Sequence, residues 1–492
     1  MAQVNYDGSL TPATVADIIN GLMGSGPNLA DVVGLDSIAL SSVLAGGFDV
    51  SSGGSSAVLV NDGLAILLPN GSTVPLMTVG GRAFLASALS DALSSSSQDN
   101  LSFVFGRGGD DTIAGGVSDD LLDGGNGNDS FNGLGGRDTI LGGAGDDFIR
   151  SADAADQLYG GIGSDTLYAG EGDNTVVGGL DYSDGADFIS SGAGRDIIFG
   201  NGGADTISST GGNDIIVAGY GADSVVSGAD NDLIYGNQDN DTIDAGAGNN
   251  LVYAGRGDDL VVTGSGNDTI TGNEGSDTIY AGGGNNYILG GNVLFDGLSG
   301  PDVIVAGNGN NTVVSGSGGS SVTTGNGDDS ISGYGGDTIF AGDGNNTIYI
   351  AVDDSVGTRS TIVTGGGNDF VASGDGDDSI KTGSGSDIIY TRYGNDTVDA
   401  GDGDDVIYGG PGNDVLTGGN GADLFTFSAA FLVGLTHITD FDFMSGDRVY
   451  LTLAPPYTIS AASNGDTLIN LTSGSIQLDG VDAANFNRSS II

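Results

Sequence analysis

The sequence predicts an all-β protein, a two-sided parallel solenoid with 18 residues per coil, carrying a small α+β N-terminal domain and a β C-terminal cap. Three observations predict it. Acidic residues return every nine positions, an apolar residue follows each of them two places on, and a hexad with glycine leads into all but Asp156.

The acidic ladder is strict in register. Counting back by nines from Asp423 meets Asp414, Asp405, Asp396, Asp387, Asp378 and Asp369. An earlier run holds Asp111, Asp120, Asp129, Asp138, Asp147, Asp156, Asp165 and Asn174. After four extra residues a third run holds Asp187, Asp196, Asp205, Asp214, Asp223, Asp232, Asp241, Asn250, Asp259, Asp268, Asp277 and Asn286. A middle block from Asp302 to Asn346, with Asp329 inside it, keeps the plan less strictly. Of these 33 positions 27 are Asp, five are Asn (174, 250, 286, 311, 346) and one is Ser320. Self-similarity at a fixed period is the signature of a repeat architecture.

The residue two places after each ladder position is Ile, Val, Leu or Phe in all 33 cases, from Ile113 to Phe425. Composition alone would not produce that. One inward apolar residue between outward neighbours describes a very short strand. The glycine hexad before it reads as a turn, because glycine accepts the positive φ that a reversal needs. Two strands and two turns close a coil, and coils stacked at about 4.8 Å over residues 111–423 predict a rod roughly 80 Å long.

The unit GGxGxD followed by an alternate apolar residue resembles the nonapeptide of the RTX, or hemolysin-type, calcium-binding repeat family. The resemblance covers about two thirds of the chain. It implies a parallel β-roll in which Ca²⁺ sits between turns of the same edge, so that Asp405 and Asp423 share an ion, as do Asp396 and Asp414. The residues agree with that implication. A hard cation takes six to eight oxygens, and a tight glycine turn brings backbone carbonyls toward the Asp carboxylate. Glu171 and Glu274 are the only glutamates among 65 acidic residues, as expected where a short carboxylate must stay near its own backbone. Same-edge pairs within the four runs number 25, so roughly 25 ions are expected, enough nearly to cancel the formal charge of −54. The metal ligands predicted are the aspartates at 111, 120, 129, 138, 147, 165, 187, 196, 205, 214, 223, 232, 241, 259, 268, 277, 329, 369, 378, 387, 396, 405, 414 and 423. Asparagine and Ser320 lack the charge, and weaker or carbonyl-built sites are expected there.

A pI near 4.1 with a single Lys (Lys381) argues against nucleic acid and anionic membranes as partners. No apolar run is long enough to span a bilayer, and no membrane insertion is expected. The first residues, MAQVNYDGSL, show neither a basic start nor an apolar core, so no cleaved secretory signal is read there. The resemblance implies type I secretion from Gram-negative bacteria as an unfolded chain with an uncleaved C-terminal signal, and hence a secreted, extracellular location at the cell surface. Residues 101–427 are then the roll. Residues 428–492, with ITDFDFMSGDRVYL, form the cap and the export region.

Residues 1–100 lack the ladder. TPATVADIINGLMG reads as a helix with Thr11 as N-cap and Pro12 in its first turn. Residues 56–79 read as short strands around NDG and PNG turns, and RAFLASALSDALSS as a second helix. Such a unit leaves little room for the effector region that RTX toxins, lipases and proteases carry. With no Cys and only His437, a zinc protease motif and a cysteine nucleophile are ruled out, and a serine triad would have to recruit His437. No enzyme activity is expected.

Strand residues one and three places after a ladder position should point outward, and alternate nonapeptides should show opposite faces. One face presents Ile197, Phe199, Ile215, Val217, Leu233, Tyr235, Leu251 and Tyr253; the other presents Thr206, Ser208, Ser224, Val226, Thr242 and Asp244. The contrast returns with Phe370, Ile388, Tyr390, Val406 and Tyr408 against Ser379, Lys381, Thr397 and Asp399. An apolar patch of that extent points to self-association. The expectation is an extracellular calcium-binding structural protein that assembles with itself into a surface layer or filament, with a cell-surface polysaccharide as a second candidate partner. The alternative is a secreted hydrolase or lyase acting on polysaccharide with an RTX module.

Overall fold

A computed structural model describes residues 102–291, 300–351, 358–428, 431–452 and 456–492, with Ser90 and the strands Leu64–Leu67, Thr73–Met77, Arg82–Leu85 and Ala92–Ser94. The chain divides into two compact units, Met1–Gly170 with Thr175–Phe188, and Glu171–Asn174 with Ile189–Ile492.

In the first unit, strand Ser102–Phe105 pairs in parallel with Leu121–Asn126, and that strand with Thr139–Ala144. Gln157–Ile162 and Thr175–Gly179 continue the stack. The intervening strands Thr112–Ala114, Ser130–Asn132, Phe148–Arg150 and Thr166–Gly170 form a second parallel stack. In the second unit one stack runs from Ile197–Gly202 through Leu233–Gln238 and Val406–Tyr408 to Leu424–Ser428 and Arg448–Thr452. The other runs from Thr206–Ser208 through Thr397–Asp402 and Val415–Asn420 to Gly434–Ile438. Each strand therefore pairs with the next but one. The nonapeptide is half a coil.

Register is fixed by the inward residue. Ile198 aligns with Ile216, Ile234, Val252 and Ile270 in turn. All 33 predicted inward residues are at most 2% exposed. Each contributes about 1.5–3 kcal/mol by burial, and a one-residue slip would turn the whole set outward. The strands stay short because a glycine turn follows at once. Gly257 sits at φ +126, and a Cβ there would strike the carbonyl of Asp239 in the preceding coil, so the coil spacing itself demands glycine.

Insertions do not break the stacking. Ile288 pairs with Val313 and Ile348 with Val371, across spacings longer than 18, and the register resumes.

Around the roll the expectations divide. Leu64–Leu67 and Thr73–Met77 pair antiparallel, as the strands read over 56–79 allow, and the PNG segment between them lies outside the described residues. Where a helix is expected over 82–95, the described residues form strands instead. Arg82–Leu85 pairs in parallel with Ser102–Phe105, and Ala92–Ser94 with Thr112–Ala114. The Ala and Leu content favours helix weakly, and an open parallel strand edge outweighs it. The parallel stacks thus reach back to Arg82, and no α+β domain is seen among the described residues. The helix read over TPATVADIINGLMG lies outside them. The β cap is present. Thr458–Ala461, Asp466–Asn470 and Gly474–Asp482 make an antiparallel meander, and its last strand pairs with Gly434–Ile438, covering the end of that stack.

Candidate metal centre

Every predicted ligand lies at the mouth of a strand, where the glycine turn ends, and all 24 are at most 3% exposed. Burying that many carboxylates with so few cations requires other partners. The backbone supplies one. The N–H of Asp111 donates to Asp129 Oδ1 at 2.7 Å, Asp129 to Asp147 at 2.7 Å, Asp147 to Asp165 at 2.7 Å and Asp165 to Asp187 at 2.8 Å. In the second unit Asp196 donates to Asp214 at 2.8 Å, Asp241 to Asp259 at 2.8 Å, Asp396 to Asp414 at 3.1 Å and Asp405 to Asp423 at 2.9 Å. Residues 18 apart are therefore neighbours on one edge, as expected of a pair sharing an ion.

The second carboxylate oxygen is the telling atom. Oδ2 of Asp129, Asp138, Asp147, Asp165, Asp223, Asp241, Asp259, Asp277, Asp405 and Asp423 is buried with no hydrogen-bond partner. In Asp129, Asp138, Asp147, Asp165, Asp241, Asp277 and Asp423 that oxygen faces a glycine five places upstream. A Cβ on Gly124 would meet Asp129 Oδ2 and the Gly142 carbonyl, and one on Gly236 would meet Asp241 Oδ2 and the Ala254 carbonyl. Buried anionic oxygen beside carbonyl oxygen is the donor set of a hard divalent cation. Among the described residues no three Asp, Glu, His or Cys side chains converge on one point. A site here therefore draws on backbone carbonyls as well as carboxylates. Elsewhere a hydroxyl occupies the position: Thr364 donates to Asp369 Oδ2 at 2.6 Å, and Ser151 to Asp156 Oδ2 at 2.5 Å.

The electrostatics record the missing charge. Burial, aided by like charges on the same edge and opposed by the backbone N–H, pushes Asp138, Asp223, Asp241 and Asp396 up to about 8. The same causes hold Asp147, Asp259, Asp277 and Asp405 at about 7, and burial holds Asp165 and Asp423 at about 6.

Sequence reasoning treated the insertions as breaks in the edges. The structure joins across them, with the Asp277 N–H on Asp302 Oδ1 at 2.9 Å and the Asn346 N–H on Asp369 Oδ1 at 2.7 Å. It also missed Ser360, whose N–H donates to Asp378 Oδ1 at 2.8 Å, and Asp447, which accepts from the Asp423 N–H at 3.0 Å. Ser360 stands nine before Asp369 with Ile362 two places on, so its signal was present without its charge. A second ladder went unread. At the position before each ligand, exposed side chains accept from the coil that follows: Asn249 N–H donates to Asn231 Oδ1, Asn267 to Asn249 and Asn285 to Asn267, at 2.6–2.7 Å. His437, the only histidine, sits in the cap with Nδ1 3.1 Å from Asp479 Oδ1.

The family model described as the RTX calcium-binding nonapeptide repeat matches residues 103–292, 294–348 and 363–425 through overlapping copies, more than half of the 492 residues. The chain belongs to the RTX repeat family. RTX repeats bind calcium, and the proteins that carry them are typically secreted. No curated protein matches the chain. The orphaned carboxylate oxygens fit the ion: the RTX aspartates would hold Ca²⁺ together with carbonyls of their turns, and the ion would supply the positive charge that each buried edge lacks.

Proposed function

We propose that the protein is an extracellular structural protein rather than an enzyme. It leaves the cell by type I secretion, folds on calcium, and assembles with copies of itself into a surface layer or filament. The observation that carries this reading is the set of outward rows on one stack. Ile197, Ile215, Leu233 and Leu251 stand in register, as do Val217, Tyr235 and Tyr253. The rings of Tyr235 and Tyr253 stack at 5.1 Å with an interplanar angle of 9°, and those of Tyr390 and Tyr408 at 4.1 Å and 6°. The facing stack presents Thr206, Ser224 and Thr242, all exposed. One expected member drops out: Phe199 is only 3% exposed and offers nothing to a partner.

Each large side chain buried between copies contributes about 1.5–3 kcal/mol, against an association cost of about 4–15 kcal/mol. A row of several can therefore hold copies together where one or two cannot. Electron microscopy of the purified protein with and without millimolar Ca²⁺ tests the proposal, with ordered sheets or fibres expected only with calcium. Changing Tyr235 and Tyr253 together to Ser is expected to abolish them while calcium-induced folding persists, because the inward Ile234 and Val252 are untouched. Dispersed monomers from the parent protein in calcium would refute assembly.

Export has its own test. Deleting residues 433–492 is expected to retain the protein in the cell, and deleting residues 1–81 is not. Secretion that survives loss of the C-terminal segment would exclude the type I route.

A further inference from the structure

Asparagine replaces aspartate at five ladder positions, Asn174, Asn250, Asn286, Asn311 and Asn346, and all five lie on the same edge of the second unit. The backbone links along that edge show it: Asn174 to Asp196, Asp196 to Asp214, Asp214 to Asp232 and Asp232 to Asn250, and onward through Asp268, Asn286, Asn311 and Asp329 to Asn346. The hexads that end in these asparagines share one form, AGEGDN, AGAGNN, AGGGNN, AGNGNN and AGDGNN, with alanine at the first place each time. All five side chains are at most 2% exposed.

Their two amide atoms do different things. Oδ1 behaves as in aspartate, accepting the N–H of the preceding coil: Asp232 on Asn250 at 3.0 Å, Asp268 on Asn286 at 2.9 Å, Asp329 on Asn346 at 3.1 Å. That places Nδ2 where aspartate has its orphaned Oδ2. From there it donates to the carbonyls of its own turn. Asn250 Nδ2 reaches Ala245 O at 3.3 Å, with Gly246 O and Gly248 O each at 3.5 Å. Asn311 reaches Gly307 O at 3.3 Å and Gly309 O at 2.9 Å, and Asn346 reaches Gly342 O at 3.3 Å and Gly344 O at 3.2 Å. Asn286 spans two coils, reaching Ala281 O at 3.3 Å and Ala306 O at 3.4 Å.

We propose that these five turns are closed by the asparagine amide in place of a calcium ion. The N–H₂ group brings partial positive charge to the carbonyls a cation would gather, and it cannot share that space with one. The proposal deepens the calcium reading and rests on it. From Asp232 to Asp369 every neighbouring pair on this edge includes an asparagine, so calcium on it is confined to the aspartate runs on either side. The opposite edge keeps aspartate at 205, 223, 241, 259, 277 and 302. The coils from Asp232 to Asp302 thus depend on metal along one edge alone, and beyond them Ser320 and Ser360 interrupt the opposite edge as well.

Hydrogen exchange of the full chain at neutral pH and at the lowest Ca²⁺ concentration that sustains the β signal in circular dichroism, beside equilibrium dialysis against Ca²⁺, tests this. Amides of the strands after asparagine turns, 251–253, 287–289, 312–314 and 347–349, are expected to exchange on the order of tenfold more slowly than those after aspartate turns that also begin with alanine, 260–262 and 406–408, from one or two net hydrogen bonds. Changing Asn250, Asn286, Asn311 and Asn346 to Asp should remove that protection and raise the number of calcium ions bound. Equal exchange at both sets of turns, or a variant that folds in calcium and binds no more ions than its parent, would overturn the proposal. If neither form bound calcium, the calcium reading would fall instead, and slow exchange at the asparagine turns would still support closure by the amide.

Discussion

Chelating calcium at neutral pH is expected to abolish most of the β signal in circular dichroism, and titrating the metal back should restore it cooperatively. The opposing terms are large. The chain carries a formal charge of −54 and 95 glycines, and ordering a backbone costs about 1–2 kcal/mol per residue. Against this, each coil offers two inward apolar residues and two turns whose buried carboxylates face carbonyl oxygen. That sum favours the folded state only when positive charge enters the edges. Because an ion held by Asp405 and Asp423 joins adjacent coils, each binding event prepares the next, as in any solenoid held by nearest-neighbour contacts. Magnesium should substitute poorly, since it demands a smaller and stricter octahedron. A spectrum indifferent to chelator would sink the calcium reading of this chain.

Protons should replace part of that charge. In chelator, acidification from pH 8 to pH 5 is expected to bring β structure back. Asp138, Asp223, Asp241 and Asp396 titrate near 8 when folded, against an ordinary value of 3.8. The metal-free fold therefore binds more protons than the unfolded chain between those values. Its stability is greatest below the ordinary carboxylate range and falls as pH rises through 6 to 8. The midpoint of refolding should lie in that window. With calcium present the dependence reverses, because protons compete for the same oxygens, and calcium affinity should weaken as pH falls through 8 to 6. A chelated protein whose dichroism does not change between pH 8 and pH 5 would show that the carboxylates are not buried as described.

The roll was legible because its two determinants lie within one short window of sequence. The ligand and the inward residue, as in Asp405 and Ile407, recur together, and the turn glycines sit just ahead of them. What escaped was set by partners a coil away. RAFLASALSDALSS has good helix formers and no ladder, and it became two strands because Ser102–Phe105 and Thr112–Ala114 offer open edges. Ser360 escaped because SVGTRS, which ends in it, lacks the glycine-rich hexad that marks Ser320, while its place is fixed by Ile362 and by the Asp378 carboxylate. The burial of Phe199 escaped because strand alternation predicts which way a side chain points, not what lies over it. Asparagine was read as a weakened ligand, since only the structure shows where its amide nitrogen is aimed.

The two stacks of unequal character constrain how such a chain can change its length. The Asp387 N–H holds Asp405, and the Val406 N–H bonds to the Asp387 carbonyl, so each half-coil recognises the next half-coil but one, 18 residues away where nothing is inserted. Removing or copying one full coil in the middle returns every later residue to its own edge and face. Removing nine residues exchanges the edges for everything downstream, bringing asparagine turns against the aspartate run and setting the tyrosine rows among threonines. Growth by duplication is therefore quantised in pairs of nonapeptides. The unit that evolution can copy is twice the unit that the eye finds.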